Sequence, residues 1–172
     1  MTGAATPAAA QASPRLQVGG TLVPGRDLYI ARPEDERLFE LLRGGEYVNV
    51  LSSRQVGKSS LMLRTAFRLR EIGFRFAVID LTALGTPENA QRYFQGLVGE
   101  IARQLRLPFD ADAFWRDDAG TSSQQFIRFF REVVAAAIDD PIVICLDEID
   151  STLKLPYTDD LFTALRAMYN ER

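Results

Sequence analysis

Apolar side chains recur along much of the chain at the three- and four-residue spacing that places them on one face of a helix. The segment 33–43 begins with a proline, which is tolerated in a first turn, and Gly44 and Gly45 follow it as a stop signal. Ser122 and Gln125 have the spacing of a capping box and are expected to open a later helix. The pattern predicts helices over residues 33–43, 58–72, 88–105, 122–138 and 161–169.

Three shorter apolar runs lie between these helices and predict β-strands. Residues 47–51 are β-prone and bounded by glycines and serines, residues 74–81 suit burial on both faces, and residues 142–146 end at an acidic pair. Strands that are separated by helical crossovers indicate a parallel sheet covered on both faces. The predicted fold class is therefore α/β with three layers, and the segment 108–120, which contains Trp115, is predicted to be a loop.

The composition excludes several kinds of chemistry. The 172 residues include no histidine and one cysteine, so nucleophile–histidine pairs, imidazole zinc sites, multi-cysteine metal cages and intrachain disulfides are ruled out. Cys145 lies in a predicted buried strand and is expected to be inert, and a reducing cytoplasmic compartment is the default. The net charge of −3 gives no electrostatic reason to expect nucleic acid or an anionic membrane as a partner.

The first residues differ in composition from the rest of the chain. Residues 1–15 are rich in alanine and proline and lack the charged and apolar regions of a signal peptide, so a disordered tail is expected there. A single domain is expected over residues 16–172, and no run reaches the ~18 consecutive apolar residues that a transmembrane helix needs.

A phosphate-binding motif follows the first predicted strand. Residues 52–60 read Ser-Ser-Arg-Gln-Val-Gly-Lys-Ser-Ser and match G-x-x-x-x-G-K-[ST], except that Ser52 stands at the first glycine. In such a loop the backbone N–H groups surround phosphate oxygens, Lys58 reaches the β- and γ-phosphates, and Ser59 binds Mg²⁺. The alternative is an ordinary strand-to-helix turn with an exposed lysine. The expected nucleotide-binding residues in the loop are Ser53, Arg54, Gln55, Val56, Gly57, Lys58, Ser59 and Ser60.

The third predicted strand ends in Asp147-Glu148, which is the Walker B arrangement. Asp147 would hold Mg²⁺ and Glu148 would orient or deprotonate the attacking water, at the strand end where open α/β sheets bind ligands. Taken alone, the pair is better explained as a solvated acidic strand end, but its position after the phosphate loop, with one strand between them, favours Walker B. Asp80 and Thr82, at the end of the second strand, are expected either to join the water network around the metal or to cap the next turn.

Four motifs in order resemble the AAA-like ATPase domain of multidomain bacterial signalling proteins, which is often followed by WD40 repeats or other sensor and effector modules. They are Ser-Arg-Gln-Val-Gly-Lys-Ser-Ser, Ala-Val-Ile-Asp-Leu-Thr-Ala-Leu-Gly, Leu-Asp-Glu-Ile-Asp-Ser and Leu-Arg-Ala-Met-Tyr-Asn-Glu-Arg. The similarity covers about residues 16–172 and assigns the phosphate loop to Gly57, Lys58 and Ser59, with Asp147 and Glu148 as the Walker B pair. Arg32, in Tyr29-Ile30-Ala31-Arg32, resembles a segment near the adenine and is a candidate nucleotide contact; a solvent-facing arginine is the alternative.

The resemblance implies an ATP- and Mg²⁺-binding regulatory ATPase that acts as a signalling switch, with Lys58 and Glu148 as catalytic residues. Its partners would be other domains of the same polypeptide or other proteins, and it would be capable of oligomerisation. In AAA-type ATPases a further strand lies between the two that carry these motifs, so the sheet is expected to be incomplete at the C-terminus, with nucleotide binding but not efficient hydrolysis by this chain.

Two other functions compete with the ATPase interpretation. A P-loop kinase or GTPase is one alternative, although the absence of an Asn-Lys-x-Asp motif argues against guanine. A non-catalytic nucleotide-binding or protein-interaction module is the other. A basic cluster is predicted to be the solvated face of the helix after the phosphate loop; it comprises Arg64, Arg68, Arg70 and Arg75.

Overall fold

The computed structural model describes residues 29–52, 56–115 and 120–170. The predicted tail over residues 1–15 and the loop residues Ser53, Arg54 and Gln55 lie outside these ranges. The helices are α1 (Pro33–Arg43), α2 (Lys58–Glu71), α3 (Ala90–Leu105), α4 (Ala111–Trp115), α5 (Ser122–Arg128), α6 (Ala135–Ala137) and α7 (Thr158–Asn170). The strands are β1 (Arg75–Asp80) and β2 (Ile142–Asp147). Short 3₁₀ helices follow each strand, at Leu81–Leu84 and Ile149–Lys154.

The α/β fold class is confirmed, and in the described residues the helices accompany a small parallel sheet of two strands. β1 and β2 pair in parallel, from Arg75 opposite Ile142 to Asp80 opposite Asp147. On one face, Phe76 and Val143 pack with buried residues of α1 and α2. On the other face, Ala77 and Ile79 join the main core, whose buried side chains come mostly from α3, the 122–137 region and α7. Alternate residues of β1 therefore face the two helical layers.

The prediction of a β-strand over residues 47–51 is wrong. In the described part of the chain the sheet has two strands, and this segment pairs with neither of them. Its apolar side chains are largely exposed, at 49% for Tyr47, 45% for Val50 and 93% for Leu51. The β-propensity of a residue reflects how well its side chain packs against neighbouring strands of a sheet. A segment with high β-propensity therefore does not form a strand unless another strand pairs with it.

Two smaller predictions are also wrong, both because of a local cap. Residues 108–120 are not all loop, since α4 begins after Asp110, whose carboxylate accepts a hydrogen bond from the N–H of Ala113 (2.9 Å). The capping box before α5 is shifted by one residue. The N–H of Thr121 donates to Gln124 Oε1 (2.9 Å), and the N–H of Gln124 donates to Thr121 Oγ1 (3.3 Å).

A π-helical segment joins α5 to α6. It spans Phe129–Val134 within a run that stays helical from residue 122 to residue 137. Phe129 is fully buried, and its ring contacts those of Phe109, Phe114 and Phe130. Trp115 is also buried in this aromatic core. The aromatic residues of this region therefore serve packing.

The predicted basic cluster is only partly solvated, and it does not lie wholly on α2. Arg70 is exposed on α2, as predicted, whereas Arg75 is exposed but is the first residue of β1. Arg68 is half-buried, donates to Glu36 (2.8 Å) and places its guanidinium 3.9 Å from the centre of the Phe39 ring. Arg64 is half-buried over the ring of Tyr29, 4.6 Å from its centre. These two arginines help to hold α2 against the segment around α1.

The outer edge of β1 is closed by a side chain. Gln104 Oε1 accepts from the N–H of Val78 (2.7 Å), and Gln104 Nε2 donates to the carbonyl of Val78 (2.6 Å). Nε2 also donates to Glu100 Oε1 (2.7 Å), which keeps the amide in place. The amide thus supplies both hydrogen bonds that a neighbouring strand would make to Val78, and protects part of this edge from pairing with other chains.

Replacing Gln104 with leucine is expected to lower the free energy of unfolding by about 1–3 kcal/mol, because it leaves a backbone N–H and a carbonyl without partners. Urea denaturation followed by circular dichroism measures this loss. Gln91→Leu, at an exposed position of the same helix, is the matched control and should change stability by less than about 0.5 kcal/mol. Equal losses of unfolding free energy in the two variants would show that the hydrogen bonds between Gln104 and Val78 do not stabilise the domain.

Candidate nucleotide-binding site

The described part of the phosphate loop leads directly into the N-terminus of α2. Gly57 is the N-cap of this 14-residue helix and has left-handed backbone angles, φ 85° and ψ 25°. A residue with a Cβ is strained in this conformation, so glycine is needed at this position. Lys58 is the first helical residue, and no acidic side chain lies in the first turn. The positive end of the helix dipole is therefore uncompensated by side chains of its own first turn.

Ser59 and Asp147 meet at the end of β2. The Ser59 hydroxyl donates to Asp147 Oδ2 over 3.5 Å, although the two residues are 88 positions apart in the sequence. Ser59 lies in the first turn of α2, and Asp147 is the last residue of β2. The fold thus brings together the two residues that sequence reasoning assigns to the metal.

Glu148 follows Asp147 in an unusual conformation. Its backbone is left-handed, with φ 54° and ψ 40°, and its N–H donates to Asp147 Oδ1 (3.0 Å). Left-handed angles are uncommon for a residue with a side chain, and such residues cluster at functional sites. The Glu148 side chain is exposed at the same strand end as Asp147.

Asp80 is in register with Asp147 but has a local role. Asp80 Oδ1 accepts hydrogen bonds from the N–H (2.9 Å) and the hydroxyl (2.6 Å) of Thr82, which caps the 3₁₀ turn after β1. Of the two functions left open for Asp80 and Thr82, these contacts favour capping. Among the described residues, acidic and cysteine side chains form no cluster of three or more that could hold a metal ion.

Arg32 reaches the phosphate loop from the segment before α1. Its guanidinium donates to the Val56 carbonyl (2.9 Å) and to the Tyr29 hydroxyl (3.1 Å). Tyr29 in turn donates to Asp35 Oδ1, and Asp35 Oδ2 accepts from the N–H of Arg32 (2.7 Å). The contacts of Tyr29 and Asp35 were not predicted from the sequence. Asp35 could have been found, because an acidic residue three positions after the N-cap Arg32 has the spacing of a capping box.

The family follows from the sequence as a whole. Residues 19–172 match the family model described as AAA-like domain. The chain belongs to the AAA-like domain family. This AAA-like domain is 36% identical over 163 residues to an uncharacterized WD repeat-containing protein of Synechocystis sp., an alignment that covers 91% of the chain. The chain spans 14% of the length of that relative. No solved structure gives a significant match.

The lone cysteine of the AAA-like domain lies two residues before Asp147. Burial, with a smaller contribution from the charge of Asp147, raises the pKa of the Cys145 thiol to about 12. The thiol is therefore protonated at neutral pH and a poor nucleophile. The prediction that Cys145 is inert agrees with this environment.

Within the described ranges, no helix combines the length and the hydropathy that are needed to cross a bilayer.

Proposed function

We propose that this AAA-like domain binds ATP with Mg²⁺ and forms the nucleotide-binding core of a regulatory ATPase that works as a signalling switch. The observation that carries the proposal is the approach of Ser59 Oγ to Asp147 Oδ2 (3.5 Å). This pair joins the helix that follows the phosphate loop to the strand that carries the acidic motif. In the proposal, the helices on both faces of the sheet are the outer layers of a three-layer P-loop NTPase sandwich.

The phosphates would lie at the N-terminus of α2. Gly57 turns the chain into the helix, and the first turn of a helix presents N–H groups that can bind phosphate oxygens. Lys58 and Ser59 lie in this turn. Lys58 would add a compact positive charge against the β- and γ-phosphates. Ser53, Arg54 and Gln55 would complete the loop.

The donors at this edge fit Mg²⁺. A hydroxyl and a carboxylate, from Ser59 and Asp147, are the hard oxygen ligands that this cation prefers, directly or through its water. Mg²⁺ usually takes few protein ligands and completes its shell with water and phosphate, which agrees with the small number of carboxylates here. When bound, the metal would neutralise phosphate charge.

Glu148 would orient or deprotonate the water that attacks the γ-phosphate. The residue is at the same strand end as Asp147, and its N–H contact with Asp147 Oδ1 ties the two residues together. ATP hydrolysis in the intact protein would then depend on positioning and charge neutralisation by Lys58 and Glu148.

The partners are proposed from the relative. The similar Synechocystis protein contains WD repeats and is much longer than this chain. Binding and hydrolysis of the nucleotide would therefore change contacts with other domains of the same polypeptide or with partner proteins. The proposed location is the cytoplasm, and oligomerisation is one form that these contacts would take. A competition assay keeps the guanine alternative testable: displacement of ATP by GTP at equal concentration would contradict the adenine assignment.

Asp147→Asn is expected to reduce the gain in ATP affinity on adding Mg²⁺ by roughly 10-fold or more, because the neutral amide is a weaker partner for the cation or its water. Calorimetric titrations of ATP with Mg²⁺ and with EDTA measure the gain. The matched control is Asp80→Asn, at the equivalent end of β1, where an amide oxygen can still accept from Thr82.

Three outcomes of this experiment are informative. A loss for Asp147→Asn but not for Asp80→Asn supports the metal assignment. An unchanged Mg²⁺ effect in Asp147→Asn contradicts it. A parent chain that unfolds cooperatively yet binds no ATP favours a non-catalytic interaction module.

A further inference from the structure

The contacts of Tyr29, Arg32 and Asp35 form a continuous chain that ends on the phosphate loop. The carboxylate of Asp35 is buried, with 4% of the residue exposed, and accepts from both the Tyr29 hydroxyl and the Arg32 N–H. The Tyr29 hydroxyl accepts from one end of the Arg32 guanidinium, and the other end donates to the Val56 carbonyl. Asp35 is thus linked through hydrogen bonds to the residue immediately before Gly57.

The same arginine covers the outer side of Gly57. A Cβ at Gly57 would lie 3.7 Å from one terminal guanidinium nitrogen of Arg32 and 3.8 Å from the other. Gly57 is the left-handed cap of α2, and its carbonyl accepts from the N–H of Leu61 (2.9 Å). The backbone of Gly57 is therefore joined directly to the first turn of α2.

Tyr29 is also held from the side of α2. The guanidinium of Arg64 lies 4.6 Å from the centre of its ring. Burial, followed by the hydrogen bond to Asp35, raises the pKa of the Tyr29 phenol, so the hydroxyl keeps the proton that it donates. Asp35 itself is in the first turn of α1, where the helix dipole stabilises negative charge.

We propose that Tyr29, Arg32 and Asp35 are positioning residues, which fix the backbone at Val56 and Gly57 and so aim the N–H groups of α2 at phosphate. This inference rests on the proposed function for its purpose. Arg32 then acts through the Val56 carbonyl and not by contact with the nucleotide, and Tyr29 and Asp35 act through Arg32. Holding Val56 and Gly57 in one conformation before phosphate binds lowers the ordering cost of binding.

The test compares Tyr29→Phe with Tyr157→Phe in the 172-residue chain. Both variants lose one hydroxyl; that of Tyr157 donates to the Pro87 carbonyl (3.1 Å), away from the phosphate loop. Hydrogen exchange without nucleotide is followed at the Leu61 N–H, which reports opening of the cap at Gly57. Tyr29→Phe removes the hydrogen bond donated to Asp35 and the one accepted from Arg32, and is expected to accelerate this exchange roughly three- to ten-fold, while Tyr157→Phe leaves it unchanged.

Hydrogen exchange in α3 distinguishes a local effect of Tyr29→Phe on the phosphate loop from destabilisation of the whole domain. The N–H groups of the buried residues Leu97, Val98 and Ile101 should exchange at the parent rate in Tyr29→Phe, since only the loop is released. Arg32→Lys keeps the charge but cannot donate to Val56 and Tyr29 with the same planar fork, so it should show the same local acceleration. Unchanged exchange at Leu61 in both variants, or faster exchange throughout α3, would overturn the proposal.

ATP calorimetry on the same variants distinguishes this proposal from the function on which it rests. A fall in affinity of about three- to ten-fold in Tyr29→Phe, matching the exchange effect, supports both proposals. Faster local exchange in Tyr29→Phe, combined with a parent chain that binds no ATP, supports the positioning network and contradicts the proposed function. Loss of ATP affinity in Arg32→Gln without any loss in Tyr29→Phe would mean that Arg32 contacts the nucleotide directly, and would overturn the positioning role.

Discussion

Lys58→Ala is expected to weaken ATP binding by this chain by roughly 100-fold, as measured by calorimetric titration. Lys58 is the first residue of α2, directly after the left-handed Gly57. Its ammonium group is the one side-chain charge that the phosphate loop motif places against the β- and γ-phosphates. The N–H groups of the helix remain in the variant, but they carry only partial charges.

A matched control is available because the sequence has two lysines. Lys154 ends the 3₁₀ helix after β2 and is exposed, so Lys154→Ala should bind ATP as the parent does. ATP should likewise protect Lys58 from acylation in a mass-spectrometric assay while Lys154 reacts at an unchanged rate. Tight ATP binding by Lys58→Ala would show that this turn is an ordinary connection between elements.

Phe129→Ala should lower the free energy of unfolding by about 3–5 kcal/mol. Phe129 is completely buried, and its ring centre lies 4.8 Å from that of Phe109 and 5.2 Å from that of Phe130. Truncation removes this apolar contact area and leaves a cavity where the π-helical segment begins. Since a domain is typically stable by only ~5–15 kcal/mol, the midpoint of urea denaturation should fall sharply.

Phe67→Ala provides the comparison for this loss. Phe67 lies on α2 with 52% of its surface exposed, so truncation there removes little packing and should cost less than about 1 kcal/mol. Similar shifts for Phe129→Ala and Phe67→Ala would contradict the assignment of the aromatic cluster to the core. The circular dichroism spectra of both variants at zero urea serve as the folding check.

The helices were predictable because their signal is local. In α3 the buried residues Phe94, Leu97 and Ile101 recur at three- and four-residue intervals. This pattern marks a helix whichever element its apolar face packs on. The segment 47–51 shows the opposite case. Its residues favour a strand, but strand formation depends on a neighbour from a distant part of the sequence, and β1 and β2 pair with each other instead.

The parts of the candidate site that belong to a motif of fixed spacing were predictable from the sequence. Lys58 and Ser59 follow Gly57 at the start of a helix, and Asp147 ends a strand, as the sequence indicates. The approach of Ser59 to Asp147 follows from that placement, because the carboxyl end of a strand lies near the loops that open the helices of an α/β sheet.

Other parts of the site had no such signal. The hydrogen bonds from Tyr29 to Asp35 and from Arg32 to Val56 depend on how α1 lies against α2, which periodicity does not specify. The left-handed backbone of Glu148 was likewise unpredictable, since glutamate has no preference for that conformation.

The amide of Gln104 has a consequence for the order in which the domain folds. Gln104 is 26 residues from Val78, whereas the partner of Val78 on β2 is Cys145, more than twice as far along the chain. The shorter loop is entropically cheaper to close, and local contacts generally form sooner than distant ones. During synthesis, too, α3 emerges well before β2. β1 can therefore dock on α3 and have its outer edge satisfied while its inner edge still awaits β2, which leaves one side of the nascent strand, rather than two, open to mispairing.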